Sequence, residues 1–332
     1  MTSGKPNHWL LAVAVFGVVV ASLAITGSAQ DPSPSAPAGP LSWNLLIPDS
    51  ASMARAWEFP RDPRVDTGGL DSSVAAEVIR GFLLFTNTPK MAPRLTGGRM
   101  TCNNCHPNGG QRNRANPLVG VAEAFPEYNK RAGRVFSLED RIVGCFMRSM
   151  NETGVKEGAS KKLNDVVSPE TKEVRALAAY IRWLSRNGTV DQMLPWRGHN
   201  KIPASSLLPL NRLSPTKGRK LFREKCVNCH GEDGQGVFIG DKRPGPLWGP
   251  NSWNDGAGAA RTYTLAGIIR YWMPYMNPGS LTDEEAQHIA AYITSQQRPG
   301  FPFKKNDYLK EPIPKDAVYY PQLYSRNPFF RR

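Results

Sequence analysis

The feature that most constrains this sequence is the five-residue pattern C-x-x-C-H, which occurs at residues 102–106 and again at 226–230. This pattern attaches a c-type haem: the two thiols bond to the porphyrin side groups and the adjacent histidine binds the iron. The thiols are Cys102, Cys105, Cys226 and Cys229, and the histidines are His106 and His230. A C-x-x-C pair can also be half of a zinc site, but the sequence offers no second ligand pair at a convincing spacing. Two copies that both end in histidine therefore predict two covalently bound haem c groups, each with its iron.

The length of the chain and the two motifs together predict two domains. With 332 residues, the chain is long enough for two domains of ordinary size, each holding one haem. Helical patterns flank both motifs and strand signals are sparse, so we predict an all-α fold of two cytochrome c-type domains in tandem. The predicted parts are domain 1 at 42–195, a linker at 196–213, domain 2 at 214–300, and a basic, aromatic tail at 301–332 that wraps over the folded body.

Capping residues and apolar spacing predict where the main helices begin. The helices expected in domain 1 lie near 71–86, 138–150 and 169–186. For the last of these, Ser168 is the predicted N-cap and Pro169 the first-turn proline. In domain 2, Ser214 and Pro215 begin a helix that leads to the second haem motif, and the capping box Thr282–Glu285 opens a closing helix.

Residues 1–29 have the layout of an export signal. Lys5 precedes an apolar stretch from Trp9 to Ile25, and small residues suited to a cleavage site follow. Haem attachment to C-x-x-C-H in bacteria follows export, so a periplasmic location is predicted. The alternative is an uncleaved membrane anchor at 9–27, because the stretch is long for a signal core. Residues 30–41 are rich in proline and are predicted to form a disordered tether.

The net charge of +14 favours anionic partners. A strongly basic surface attracts small anions and acidic proteins. We expect no nucleic-acid partner, because the sequence contains none of the motifs of nucleic-acid-binding domains. Positive charge is concentrated between residues 90 and 150, where the sequence contains ten basic and four acidic residues.

The sixth ligand of each haem iron is expected downstream of its C-x-x-C-H motif. Four of the five cysteines attach haem, which leaves Cys145 without an assigned role. Small cytochrome domains take this ligand from about the distance at which Cys145 follows the first motif, commonly as a methionine close to a proline. In domain 2, the pair Met273-Pro274 lies at a similar distance, with Met276 as the alternative. In domain 1, Met147 and Met150 compete with Cys145, and a buried cysteine of purely structural role is also an option.

The surroundings of Cys145 favour an anion site. A helix capped by Ser137 would place Arg141, Cys145 and Ser149 on one face, at successive turns, with Arg148 flanking them. Arginines beside a sulfur stabilise its thiolate and bind oxyanions through forked hydrogen bonds. The competing interpretation is a solvated basic face; a cysteine in its middle favours an anion site beside the first haem.

Four segments form a combination that is more specific than either haem motif. They are residues 100–106, 138–151, 178–185 and the stretch from 249 to 274. The string D-R-I-x-x-C-F-x-R-S-M-N at 140–151 is the most specific. With these segments the chain resembles the thiosulfate dehydrogenase family of dihaem c-type cytochromes over most of residues 70–300.

This resemblance implies a ligand set and an active site. The implied axial ligands are His106 and Cys145 on the first haem, and His230 and Met273 on the second. The active site would lie at the first haem, with Cys145, Arg131, Arg141 and Ser149 as its residues. One departure is Trp272, because some relatives carry a lysine or asparagine just before the methionine; it leaves the ligands and the potential of the second haem open.

The resemblance also implies the reaction, which joins two thiosulfates into tetrathionate and releases two electrons, and which family members can run in reverse. Thiolate ligation lowers a haem potential and methionine ligation raises it. Electrons are therefore expected to pass from the first haem to the second, and then to an external acceptor such as a small cytochrome. Cys145 would either leave the iron to form a transient S-sulfonated adduct or remain as a tuning ligand.

Three other functions stay open at this point. One is a sulfur-oxidation subunit that conjugates thiosulfate to a carrier-protein cysteine. Another is a non-enzymatic dihaem electron carrier with a methionine on each haem. A peroxidase would need an open or histidine-switched site, and outside the signal only His199 and His288 are spare. His288 lies on the capped closing helix, so a surface or packing role is predicted for it. The sequence leaves open the direction of the reaction in the cell, the identity of the acceptor and the oligomeric state.

Overall fold

The fold was analysed in a computed structural model, which describes residues 46–48, 58–153, 167–186, 194–240 and 242–320. All of these residues belong to one compact unit that spans Gly39–Arg332. The predicted export signal or anchor, the predicted tether and the last residues of the tail (321–332) lie outside the described residues.

Helices dominate the first half of the described chain. They are α1 Ser72–Thr86, α2 Thr88–Met91, α3 Cys102–Cys105, α4 Pro107–Gly110, α5 Leu138–Arg148 and α6 Lys172–Leu184. The two short strands β1 Glu127–Asn129 and β2 Arg134–Phe136 form an antiparallel hairpin in which Tyr128 faces Val135. The helical prediction is confirmed, with this hairpin as the one addition among named strands of the described residues.

The second half of the chain repeats the same plan. Its helices are α7 Pro215–Lys225, α8 Val227–His230, α9 Thr262–Trp272 and α10 Asp283–Ser295. Short 3₁₀ turns connect the helices at 93–95, 121–124, 204–206, 210–212, 258–260 and 304–306. Within the described ranges, none of the helices has both the length and the apolar character needed to cross a bilayer.

Side-chain caps fix the starts of three functional helices as predicted. The Ser137 hydroxyl accepts the Asp140 amide at the start of α5, and Asp140 returns the bond to the Ser137 amide. Thr282 and Glu285 form the same reciprocal box at the start of α10. Ser214 accepts the amide of Lys217 and begins α7. Each cap satisfies amide groups that the first turn of a helix leaves unpaired.

The predicted start of α6 is wrong. The helix begins at Lys172, with Thr171 as its N-cap residue, rather than at Pro169. The Ser168 hydroxyl instead accepts the amide of Glu170, and the Ser168 amide donates to the Thr171 hydroxyl at 2.9 Å. These side-chain bonds close a separate turn that competes with the helix, and α6 starts only after it.

A glycine marks the crossing of the first and last helices in each half. A Cβ placed on Gly81 of α1 would lie 2.0 Å from the Ala176 carbonyl oxygen and 2.8 Å from the Tyr180 Cβ on α6. A Cβ on Gly218 of α7 would lie 1.9 Å from the His288 carbonyl oxygen and 2.8 Å from the Tyr292 Cβ on α10. Each half therefore contains an equivalent close helix crossing that only glycine permits.

The two halves pack against each other through a continuous apolar core. Phe85 and Phe146 from the first half belong to the same buried cluster as Phe222, Leu265 and Ile289 from the second. Polar contacts reinforce the boundary between the halves. The Arg99 amide, for example, donates to the Asn251 carbonyl at 3.0 Å, and the Arg99 Nη2 donates to the Gln235 carbonyl at 3.1 Å.

The described part of the tail packs over the folded body, as predicted, and contacts both halves. The amide of Tyr308 donates to the Arg131 carbonyl at 2.7 Å, and the Lys310 ammonium donates to the Gly133 carbonyl at 3.0 Å. Phe301 is buried beneath the Arg148 guanidinium, which lies 3.9 Å from the centre of its ring. The tail is therefore in contact with residues next to the predicted anion site.

Candidate functional site

The first C-x-x-C-H segment has a geometry suited to haem attachment. Cys102 and Cys105 begin and end the single helical turn α3, which is held by a reciprocal cap between Thr101 and Asn104. This turn places both thiols on one side of the backbone. Burial raises the pKa of each thiol to about 12, so the unattached thiols are neutral in this apolar setting.

His106 is held in the tautomer that an iron ligand needs. Its Nδ1 lies 2.6 Å from the carbonyl oxygen of Asn116, so Nδ1 carries the proton and Nε2 keeps its lone pair. Burial, with a smaller contribution from the Arg141 charge, lowers the pKa of His106 to about 4. The imidazole is therefore neutral at physiological pH, and its backbone partner orients the ring.

Helix α5 brings Cys145 to the same place. Besides burial, the charge of Cys145 contributes to the raised pKa of Cys102 and Cys105, so Cys145 lies within electrostatic reach of both thiols. Met147 and Met150, the competing ligands, are 5% and 3% exposed in the apolar core, whereas Cys145 is half-buried. The structure thus brings Cys145 to the first attachment motif, together with Arg141.

The predicted face of α5 is formed. Arg141 directs its Nη1 toward the Cys145 Sγ at 3.5 Å, one helical turn along. Ser149 follows one turn later, and its amide donates to the Cys145 carbonyl at 2.8 Å. Arg141 is exposed, while Cys145 and Ser149 are half-buried. A solvent-facing guanidinium beside a sulfur can meet an anion that arrives from solution.

Arg131 approaches this face from the β-hairpin. Its Nη1 donates to the Gly256 carbonyl at 2.5 Å, and the Arg148 Nη1 donates to the same oxygen at 3.0 Å. Burial and, to a smaller extent, the charges of Arg148 and Arg141 together lower the pKa of Arg131 to about 10. The three guanidinium groups therefore share one region, where the structure concentrates positive charge.

Two residues that hold this region were not identified from the sequence. Asp307, in the tail, pairs with Arg148 through both carboxylate oxygens, at 2.7 and 2.9 Å. Asn254, in the second half, donates from Nδ2 to the Met147 carbonyl at 2.8 Å and from its amide to the Arg148 carbonyl at 3.0 Å. Both lie more than 100 positions from α5 in the sequence, and no local pattern links them to it.

The second C-x-x-C-H segment lies in a comparable setting. Burial raises the pKa of Cys226 to about 12 and lowers the pKa of His230 to about 4. The His230 ring packs 6.4 Å from the ring of Phe222, as His106 packs 6.3 Å from Phe85 in the first half. The Nδ1 of His230 is buried and has no hydrogen-bond partner among the described residues, which distinguishes it from His106.

The two candidate methionines of the second half differ in burial. Met273 follows directly after α9 and packs, half-buried, against the apolar core. Met276 is exposed. His288 is buried and accepts the Ser214 amide at 3.0 Å through Nδ1, in agreement with its predicted packing role.

The residues present at both segments fit haem c. In each half, two thiols one turn apart precede a half-buried, neutral imidazole. Among the described residues there is no group of three or more His, Cys, Asp and Glu side chains arranged to hold a metal ion.

Comparison with known proteins assigns each half to a class. Residues 95–190 match the SoxA/TsdA cytochrome c domain, and residues 214–293 match the cytochrome c oxidase, cbb3-type, subunit III family. A helical chain with a C-x-x-C-H segment in each of two cytochrome c domains is a c-type cytochrome, and such domains imply haem c as the cofactor.

Three relatives indicate the family within the c-type cytochromes to which the chain belongs. The chain is 36% identical over 226 residues to the thiosulfate dehydrogenase of Stutzerimonas stutzeri, with 68% of each protein covered. It is 35% identical over 272 residues to that of Psychrobacter arcticus (81% and 76% covered) and 35% identical over 238 residues to that of Allochromatium vinosum (70% and 82% covered). The chain belongs to the thiosulfate dehydrogenase family, which confirms the resemblance seen in the sequence.

A solved structure supports the same fold. The thiosulfate dehydrogenase (TsdBA) from Marichromatium purpuratum, in its "as isolated" form, superposes with a TM-score of 0.62 and 32% identity. The match covers 75% of this chain and 52% of that chain, so this chain spans about half the length of the solved one.

Proposed function

We propose that this protein is a thiosulfate dehydrogenase that carries two covalently bound haem c groups. In the proposed reaction, two thiosulfate dianions form a sulfur–sulfur bond and give tetrathionate and two electrons. No proton is taken up or released. The observation that carries the proposal is the approach of Arg141 to Cys145, 3.5 Å from Nη1 to Sγ, beside the first attachment segment.

Fixed positive charge is the main contribution of the chain itself. Two dianions repel each other, so bringing their sulfurs together is the obstacle to coupling. Arg131 and Arg141 would bind sulfonate oxygens through forked hydrogen bonds, with Ser149 as a further donor. Because these groups are already in place before substrate arrives, they stabilise the crowded charge without a cost of reorganisation.

The proposed iron ligands are His106 and Cys145 on the first haem, and His230 and Met273 on the second. Exposure of Met276 supports Met273 as the ligand. Haem c held at the two segments would supply the redox chemistry, with the two electrons going to an external acceptor, for which a small cytochrome is proposed. The His106 ring donates to a carbonyl and would be the more electron-rich ligand; this supports a lower potential at the first haem, as does thiolate ligation.

Three parts of the proposal rest on the sequence. Residues 1–29 would export the chain to the periplasm, or residues 9–27 would anchor it at the membrane. The reaction could run in either direction, because the same charges bind thiosulfate and tetrathionate. The sulfur-transferase alternative keeps the same cysteine and arginines, and it requires a carrier protein with a free thiol.

Purified holoprotein with thiosulfate and ferricyanide provides the test. We expect one tetrathionate for every two ferricyanide ions reduced. Cys145→Ala should abolish turnover while both haems remain attached, which a haem-to-protein ratio measures. Arg223→Gln, an exposed arginine of the second half, is the matched control and should keep full activity. Near-normal activity of Cys145→Ala would remove Cys145 from the mechanism. Consumption of thiosulfate only with a carrier thiol, and without tetrathionate, would support the transferase.

A further inference from the structure

Arg112 lies at the boundary between the two haem-binding segments. It follows the first C-x-x-C-H segment and is 1% exposed. Its backbone is held by the segment at 46–48, with which it forms a β-bridge through Ile47. Its side chain crosses to the second half, where Nη2 donates to the Tyr275 carbonyl at 2.9 Å and the guanidinium lies 4.1 Å from the centre of the Tyr275 ring.

Most of this buried guanidinium lacks a hydrogen-bond acceptor. Its Nε and Nη1 atoms are buried, and neither has a partner among the described residues. A guanidinium keeps its charge at every physiological pH, and a buried charge without a paired acceptor costs several kcal/mol. The Tyr275 carbonyl and ring satisfy one edge only. Nε and Nη1 each form a forked edge with Nη2, on different sides of the group, and such an edge binds a carboxylate. The single acceptor on Nη2 leaves one of these two edges open.

The position of Arg112 identifies the kind of anion. Tyr275 comes two residues after Met273, the proposed ligand of the second haem, and its hydroxyl donates to the Asn108 side chain at 2.9 Å. Asn108 itself lies two residues after His106, the proposed ligand of the first haem. Arg112 thus lies between two stretches of chain that each carry a proposed haem ligand. Haem c carries two propionate groups, which are carboxylates that the protein must accommodate.

We infer that Arg112 binds a haem propionate at the boundary between the two halves. The free edge of the guanidinium meets the carboxylate, and the other edge holds the chain beside Met273 in place. The arginine therefore links the charge on one haem to the loop that ligates the other. This inference rests on the proposed binding of two haems, and it is independent of which substrate the protein oxidises.

The measurement is a spectroelectrochemical titration of both haems in the Arg112→Gln holoprotein. Removal of a positive charge beside a haem propionate disfavours the reduced state, so the potential of one haem should fall. The expected change in its reduction equilibrium is up to about tenfold, which equals 59 mV for a one-electron couple. The spectra of the two haems identify the one that shifts. Arg112→Lys retains the charge and should restore most of the potential.

A control and a second readout keep the test decisive. Arg64→Gln removes an exposed arginine from the same half and should leave both potentials unchanged. If Arg112→Gln does not fold, redox-difference infrared spectra of Arg112→Lys should show shifted propionate carboxylate bands. Unchanged potentials in Arg112→Gln, or unchanged carboxylate bands in Arg112→Lys, would overturn the inference. Because neither readout uses thiosulfate, a protein inactive on thiosulfate can still confirm it.

Discussion

Asp307 and Arg148 form a two-point ion pair between the tail and helix α5, with oxygen–nitrogen distances of 2.7 and 2.9 Å. Their side chains are 5% and 14% exposed. The Tyr320 hydroxyl also donates to Asp307, at 2.5 Å. Asp307 therefore balances the charge of Arg148. Arg148 in turn donates a hydrogen bond to the Gly256 carbonyl, to which Arg131 also donates.

Asp307→Asn should destabilise the folded protein. The substitution leaves a buried guanidinium without its counter-charge, and breaking a buried ion pair costs about 3–5 kcal/mol. Denaturant unfolding monitored by circular dichroism measures the loss. Glu232→Gln, which breaks the exposed pair with Arg223, should cost at most about 1 kcal/mol. Equal effects of the two variants would mean that the tail contact adds no stability.

Arg141→Gln should weaken the use of thiosulfate without loss of either haem. A hydrogen bond to a charged group is worth about 1.5–3 kcal/mol, so kcat/KM should fall by about 10- to 150-fold. Steady-state kinetics at fixed ionic strength checks this, with Arg223→Gln as the unaffected control. Identical kinetics of Arg141→Gln and the wild type would show that this arginine is only solvated surface.

Met273→Ala and Met276→Ala should have different effects on the second haem. Met273 is packed against the core after α9, while Met276 is exposed. We expect Met273→Ala to remove the methionine–iron charge-transfer band and lower the potential of one haem, because a methionine ligand raises it. Met276→Ala should keep both. The reverse result would assign the ligand to Met276.

Gly218→Ala should destabilise the second half. The new methyl group would lie 1.9 Å from the His288 carbonyl oxygen, so α7 and α10 would have to move apart. Overpacking of this kind costs about 1–3 kcal/mol, more than the helix preference of alanine returns. Thermal unfolding measures the change. The matched control is Gly258→Ala, where nothing lies within 4 Å of the added atom, and a change within about 0.5 kcal/mol is expected.

Local patterns were sufficient for much of the fold. The capping boxes at Ser137 and Thr282 gave the starts of α5 and α10, because the cap and its partner are three residues apart. The start of α6 was predicted wrongly because two local structures can use the same residues. At Ser168, a side-chain turn and a helix compete for the same amide groups, and the pattern alone does not show which of them forms.

In the candidate site, too, some contacts follow from local spacing in the sequence and others do not. Arg141 and Cys145 are one helical turn apart, so their approach follows from the spacing. Gly256 and Asp307 reach Arg131 and Arg148 from segments more than 100 positions away, and nothing in the sequence near α5 indicates that they do.

The sequence by itself determined where haem can be attached and which sulfur stands beside an arginine, because covalent chemistry and helical periodicity act over a few residues. Only the tertiary structure decided which charges are balanced. Arg148 is paired by the tail, Arg131 is held by the second half of the chain, and Arg112 is buried with one edge open. The cost of burying a charge depends on what surrounds it in space, and that environment forms only when distant segments pack together.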